Sequence, residues 1–175
     1  MICLENTLSG MIFPQDEINL ISQFARSNGI KLQLDGARLW HVAIEKKQSI
    51  QELCNPFDSV SLCFNKGLGR FLNRYVLFGL TDRWIRLAGA PVGSCLAGTS
   101  DFVNKARQFR ALFGGDMCQT GSLAASAAYA LTHNFPQLPR AHALARKLQA
   151  GLESIGVEIL CGAETCMVKG LLSTI

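Results

Sequence analysis

Apolar residues recur with two different periods along the 175-residue chain, which predicts alternating helices and strands. Helical spacing begins at Pro14 and stops at Gly29, and an apolar run over residues 30–34 then predicts a strand. A second apolar run over residues 60–64 predicts another strand. This order is typical of an α/β sheet covered by helices on both faces.

The rest of the chain continues the alternation of helices and strands. The pair Ser49 and Glu52 has the spacing of a capping box, so a short helix is expected between the two strands. Further along, the expected elements are a strand over 94–97, a helix capped by Ser100, helices over 122–131 and 138–155, and a strand over 157–161.

Charged residues follow both predicted strands, where side chains from neighbouring strands can meet. Asp35 ends the first strand, with Arg38 three residues later, and Lys66 follows the second strand just before Gly67. A lysine amine can form a Schiff base with an aldehyde cofactor, and a carboxylate can keep a pyridine nitrogen protonated. One acid and one lysine, about one βαβ unit apart, therefore indicate a pyridoxal phosphate enzyme.

Several strings carry a wider resemblance: CLENT at 3–7, DGARLW at 35–40, FDSVSLCFNKGLG at 57–69, APVGS at 90–94 and ETCMV at 164–168. In these strings the chain resembles the low-specificity L-threonine aldolases, which are pyridoxal phosphate enzymes. The resemblance covers most of residues 2–168. It implies an α/β fold, namely part of the large domain of the fold-type I pyridoxal phosphate-dependent transferases (the aspartate aminotransferase-like fold).

The resemblance also implies roles for four residues. Lys66 corresponds to the lysine that binds the cofactor aldehyde, and Asp35 to the acid at the pyridinium nitrogen. Asn65 stands at a position that contacts the cofactor phosphate, and Arg38 at one that binds the substrate carboxylate. No metal is implied. The expected reaction is the cleavage of L-threonine or L-allo-threonine to glycine and acetaldehyde, a lyase reaction of threonine catabolism and glycine biosynthesis.

Domain organisation follows from the same resemblance. We expect a partial cofactor-binding large domain over 1–168, interrupted by an insertion over 70–89, and a divergent tail over 169–175. The small C-terminal domain of the family is expected to be absent. The insertion is either a genuine amphipathic segment or a gene-model artefact. A homo-oligomer, in this family a tetramer, and a small β-hydroxy amino acid are the expected partners.

Several positions depart from the family pattern, among them Asn65 in place of a serine and Ala111 in place of a lysine, and leave a second interpretation open. A histidine that follows ENT in the family is Leu8 here, and Asp116 and Cys118 replace a glycine and an arginine near the phosphate. The alternative is therefore a catalytically inactive relative that acts only through interaction or oligomerisation. His41, just past the DGARLW string, either lies near the site or is an ordinary packed histidine.

Composition excludes several other classes of protein. The net charge of +4 lies largely in the block 70–89, and no other feature indicates a nucleic-acid partner. The seven cysteines are an odd number without a CxxC pair, which favours reduced thiols in the cytosol over disulfides or a zinc site. The start of the chain has no secretory signal pattern, and no membrane span is expected. Nucleotide binding is not expected either, because the glycines at 67 and 69 lack the third glycine of a dinucleotide fingerprint.

Overall fold

A four-stranded sheet organises the computed structural model of this chain, which describes residues 1–66, 90 and 92–171. Its strands lie in the order β1-β2-β3-β4, where the first three are parallel and β4 runs antiparallel to β3. The strands are β1 (Ile2–Glu5), β2 (Leu32–Gly36), β3 (Ser59–Cys63) and β4 (Ser94–Gly98). The three strands predicted in this region are confirmed with small shifts, whereas β1 was not predicted.

Six α-helices surround or follow the sheet in the described residues. They are α1 (Gln15–Ser27), α2 (Leu39–Lys46), α3 (Ile50–Cys54), α4 (Ser100–Leu112), α5 (Gly121–Tyr129) and α6 (Leu138–Ser154). A π-helical turn (Ala130–Asn134) and a 3-10 turn (Phe135–Gln137) join α5 to α6. A small antiparallel pair, β5 (Glu158–Cys161) and β6 (Lys169–Leu171), ends the described chain.

Two of the predicted helix starts have different outcomes. The capping box of α3 is confirmed, because Ser49 Oγ accepts a hydrogen bond from the Glu52 amide and the Glu52 carboxylate accepts one from the Ser49 amide. Ser100, however, was the wrong cap for α4. Thr99 occupies the cap with extended backbone, and its hydroxyl oxygen accepts from the Phe102 amide at 3.4 Å, so Ser100 is already helical.

The helices α1, α2 and α3 cover one face of the sheet, and on the other face α4 reaches the β4 edge, where a Cβ at Gly98 would lie 2.8 Å from the Phe102 ring. Cover along the whole of both faces stays a prediction. The links β1–α1–β2 and β2–α2–α3–β3 advance in the same direction, so crossovers of the usual right hand place their helices on one face. Leu34 and Val60 are buried on that face, whereas Gln33, Asp35 and Ser61 alternate with them and are less buried. This alternation of apolar and polar residues with a period of two is the sequence pattern that distinguishes the two faces of the sheet.

The hydrophobic core lies between the covered face and the helices α2 and α6. From α2, Leu39 and Val42 are each 1% exposed, and Leu138 at the start of α6 is completely buried. They pack with Leu34 and Val60 of the central strands in one cluster. The core therefore fixes α2 against the ends of β2 and β3, where the predicted site residues lie.

Two of the predicted domain boundaries reach beyond the described residues. The block 70–89 and residues 172–175 lie outside them, while residues 169–171 of the predicted tail form β6. The division of the chain therefore stays a prediction. In the part of the chain that the structure describes, no helix combines the length and apolar character needed to cross a membrane.

Two glycines, one in a crowded position and one in an open position, test this packing. A Cβ at Gly36 would lie 3.0 Å from the Ser61 carbonyl oxygen and 3.0 Å from Leu62, whereas at Gly151 in α6 it would meet nothing within 4 Å. We expect Gly36→Ala to lower the free energy of unfolding by about 1–3 kcal/mol, because backbone must move. Gly151→Ala should raise it by up to ~1 kcal/mol through helix propensity. Urea unfolding compares the two, and a shift of the same sign in both variants would contradict the packing described.

Candidate active site

Asp35 stands at the carboxyl end of the central parallel strand β2. It lies in register with Glu5 on β1 and Ser61 on β3. The Asn6 amide donates to the Asp35 carbonyl oxygen at 3.0 Å, which extends the pairing of β1 past its end. The Asp35 carboxylate is exposed, and its Oδ1 accepts from the Ala37 amide at 3.0 Å. The strand end is thus held from both sides, with an exposed acid on the face opposite α1, α2 and α3.

Lys66 lies three residues beyond the last residue of β3, in a segment anchored by α2. The indole Nε1–H of Trp40 donates to the Cys63 carbonyl oxygen at 2.9 Å, and its ring stacks on Phe64 with centroids 6.0 Å apart. On the other side the Phe64 amide donates to the Gly93 carbonyl oxygen at 2.9 Å. These contacts fix the chain two residues before Lys66, whose own side chain is exposed.

The start of α2 brings Arg38 and a buried histidine to the same region. Arg38 is the partly buried residue before the helix, and His41 is 1% exposed. The His41 ring interacts with the backbone of Lys66, and its Nε2 lies 3.5 Å from the Cys166 sulfur. Within the described residues, no side-chain hydrogen bond or ion pair joins Asp35 to these groups. The structure thus gathers Arg38 and the Lys66 backbone around His41.

Two further segments close this end of the sheet, and sequence reasoning gave them no role. The hydroxyl of Thr165, which is fully buried, donates to the Gly10 carbonyl oxygen at 2.7 Å. Glu164 accepts from the Ile12 amide at 2.5 Å, so the loop after β1 is tied to residues 164–167. Thr7, 1% exposed, has the one buried side-chain hydroxyl without a hydrogen-bond partner in the described chain. The polar residues inside CLENT and ETCMV were the available signal.

His41 also belongs to a buried chain of hydrogen bonds. Its Nδ1 lies 2.8 Å from Nε2 of His142, a residue of α6 that is completely buried. Nδ1 of His142 lies 2.6 Å from the Glu45 carboxylate, whose other oxygen accepts from Arg146 at 3.1 Å. The sequence left open whether His41 lies near the site or is an ordinary packed histidine. The structure shows both features, because the His41 side chain is buried and its ring interacts with the Lys66 backbone.

The environment of His41 keeps its ring neutral. Burial, the nearby His142 and the charge of Arg38 lower the pKa of His41 to about 4, against a smaller opposing effect of the Lys66 backbone. Burial also raises the pKa of the Cys166 thiol, although Arg38 acts in the opposite direction. At neutral pH the interior beside Lys66 therefore holds a neutral imidazole and a protonated thiol.

Other predicted site positions are less closely tied to this region. Asn65 is half-buried directly before Lys66, and Leu8 is exposed. Asp116 is exposed and lies 3.7 Å from Arg110. In the described chain no hydrogen bond or ion pair links Asp116 or Cys118 to Asp35, Arg38 or Lys66. The effect of these two departures on a bound phosphate therefore stays a prediction.

Comparison with known proteins assigns the family. The model of the beta-eliminating lyase family matches residues 1–71 and 86–170. The chain belongs to the beta-eliminating lyase family. The unmatched residues 72–85 lie inside the block predicted as an insertion, which itself falls outside the described residues.

Several relatives of this chain are threonine aldolases by name. The chain is 41% identical over 168 residues to a candidate low-specificity L-threonine aldolase of Schizosaccharomyces pombe. The alignment covers 96% of this chain and 39% of that relative. It is 38% identical to the low-specificity L-threonine aldolase of Candida albicans, with 40% of that relative covered. The chain thus spans about two fifths of the length of the curated relatives it matches.

A solved structure gives the same result for the fold. A candidate L-allo-threonine aldolase of Listeria monocytogenes superposes with a TM-score of 0.77 at 27% identity, covering 95% of this chain and 42% of that one. The predicted fold class is confirmed: this is an α/β structure corresponding to part of the fold-type I pyridoxal phosphate-dependent fold. The predicted resemblance to the threonine aldolases is confirmed as well.

Trp40→Phe tests the anchor of the Lys66 segment. The variant keeps an aromatic ring against Phe64 but removes the donor to the Cys63 carbonyl oxygen. We expect the free energy of unfolding to fall by about 1–3 kcal/mol, because a partly buried carbonyl loses its partner. Urea unfolding measures this change. Phe135→Leu, which alters the other ring against Trp40 but no hydrogen bond, is the control. An unchanged stability in Trp40→Phe would show that the hydrogen bond contributes nothing.

The lowered pKa of His41 predicts a loss of stability in mild acid. Because the unfolded chain binds a proton at about pH 6.5 and the folded chain only near pH 4, unfolding takes up a proton between these values. The stability is complete above the unfolded pKa and falls as the pH is lowered. We expect a loss of about 2 kcal/mol between pH 7.5 and 5. In His41→Asn, which keeps a donor but does not titrate, the curve should be flatter, and an equally steep curve would contradict the assignment.

Proposed function

We propose that this chain binds pyridoxal 5′-phosphate and cleaves the Cα–Cβ bond of a β-hydroxy amino acid, yielding glycine and an aldehyde. Threonine or allo-threonine is the substrate in this proposal, and acetaldehyde the second product. The observation that carries it is one acid and one lysine after the carboxyl ends of adjacent parallel strands, Asp35 on β2 and Lys66 after β3. The names of the relatives support the same activity.

The residues at the sheet end fit the cofactor. Asp35 is exposed and uses one carboxylate oxygen for the Ala37 amide, while Oδ2 has no protein partner in the described chain. That oxygen would hold the protonated ring nitrogen, and the exposed amine of Lys66 would hold the aldehyde carbon. Asn65 would donate to the phosphate. When bound, the cofactor supplies an electron sink for the bond that breaks.

Arg38 is proposed to orient the substrate. Its guanidinium is partly buried at the start of α2, near enough to lower the pKa of His41. A planar, permanently charged fork suits a substrate carboxylate, which would then point towards α2. The reacting hydroxyl must lose a proton, and Leu8 offers no titratable group where the resemblance expects a histidine.

We also propose that the chain acts as a homo-oligomer in the cytosol. Apolar side chains of α4 and the residue after it are exposed: Phe109 by 56%, Leu112 by 75% and Phe113 by 80%. Such a patch is typical of an interface. All seven cysteines are free thiols, as a reducing compartment favours. The inactive alternative predicts the same assembly without cofactor, so cofactor binding distinguishes the two.

A titration with pyridoxal 5′-phosphate tests the proposal. We expect a visible absorbance band in the wild-type chain and in Lys105→Ala, an exposed control on α4, and none in Lys66→Ala. Asp35→Asn should keep the band but lower the rate of aldehyde release from threonine by on the order of 10²-fold or more, because the ring nitrogen loses its anionic partner. The aldehyde is measured with a coupled dehydrogenase.

The outcomes separate the two interpretations. A band that depends on Lys66, with aldehyde release, supports the enzyme. A band without aldehyde release from any β-hydroxy amino acid would overturn the lyase activity but leave the cofactor site. No band in the wild-type chain would overturn the proposal and favour the inactive relative.

A further inference from the structure

The buried histidine chain is built from two helices with matched spacing. His41 and Glu45 are four residues apart on α2, so both face the same side, and His142 and Arg146 are four apart on α6. The two pairs meet so that His142 lies between His41 and Glu45, and Arg146 reaches the outer oxygen of Glu45. The series Cys166, His41, His142, Glu45 therefore runs from the interior beside Lys66 to the surface of the described chain.

Only one placement of the protons on the ring nitrogens lets every contact in the series be a hydrogen bond while Glu45 is a carboxylate, both imidazoles are neutral and Cys166 is a thiol. Hydrogen bonding from His142 and the charge of Arg146 outweigh burial and lower the pKa of Glu45, so Glu45 is a carboxylate that accepts from Nδ1–H of His142. Nε2 of His142 then accepts from Nδ1–H of His41, and Nε2 of His41 accepts from the Cys166 thiol. Every donor points outward, towards Glu45.

We propose that His41, His142 and Glu45 form a proton relay between the interior at Lys66 and solvent. A proton that arrives at Nε2 of His41 forms an N–H bond there. The Nδ1–H proton of His41 passes to Nε2 of His142, and the Nδ1–H proton of His142 passes to Glu45. One proton enters and one leaves, and both imidazoles end neutral. Glu45, with 29% of its side chain exposed, releases the proton to water.

The inner end of the relay lies where a proton is needed. The backbone of Lys66 interacts with the His41 ring and favours its protonated form, and Nε2 of His41 lies 3.5 Å from the Cys166 sulfur. The charged or titratable groups around the relay are Arg38 and Lys66 at its inner end and Arg146 at its outer end. The relay itself is independent of the proposed function. Only the source of the proton, a substrate hydroxyl, rests on the proposed function. His41 is thus a relay residue rather than a catalytic one.

Nuclear magnetic resonance of the full chain with ¹⁵N-labelled histidine tests the relay without cofactor or substrate. We expect His41 and His142 to carry their proton on Nδ1 at pH 7. Glu45→Gln keeps an acceptor for His142 but cannot take up a proton. It should slow the exchange of the His41 Nδ1–H with solvent on the order of tenfold or more, because the last carrier is lost.

Glu17→Gln, the same substitution at an exposed position of α1, is the matched control and should leave the exchange unchanged. Equal exchange in wild type and Glu45→Gln would overturn the relay, as would a His41 proton on Nε2. If Glu45→Gln perturbs the spectrum too widely, Arg146→Gln provides a second variant, which should raise the pKa of Glu45 and slow the exchange less. A chain that passes this test but binds no pyridoxal phosphate keeps the relay and loses only the proposed function.

Discussion

The packing of α2 against the end of β3 is the constraint on which the rest of this site depends. Trp40 donates to the Cys63 carbonyl oxygen, and the next residue, His41, contacts the Lys66 backbone. Both residues sit in the first turn of a helix whose Leu39 and Val42 are fully buried in the core. The position of Lys66 therefore follows from core packing, although its own side chain is exposed.

The placement of the linking helices on one face of the sheet explains why the candidate site residue Asp35, on the other face, is accessible. Two crossovers of the same hand place α1, α2 and α3 on one face, and the other face carries Gln33, Asp35 and Ser61 in the described chain. An acid in a strand interior covered on both sides would have to be paired or neutralised. On the face opposite those helices Asp35 stays exposed, with one oxygen left for a ligand.

Local sequence patterns predicted the elements well and the tertiary arrangement only in part. The capping box at Ser49 and the strands ending near Asp35 and Cys63 depend on neighbouring residues, so the sequence contains their signals. β1 was missed because four residues with a single alternation resemble a loop, and α2 because its apolar residues lie on both sides of His41 without a clear stripe. The His41–His142 contact joins residues 101 apart, which no local pattern reveals.

The proposed function requires that this sheet end holds pyridoxal 5′-phosphate on Lys66. Reduction of the cofactor-treated chain with borohydride, followed by peptide mass spectrometry, tests it most directly, since it locates the modified lysine. We expect stoichiometric modification of Lys66, with exposed Lys31 and Lys105 unmodified. Modification spread over these surface lysines, with no preference for Lys66, would contradict it.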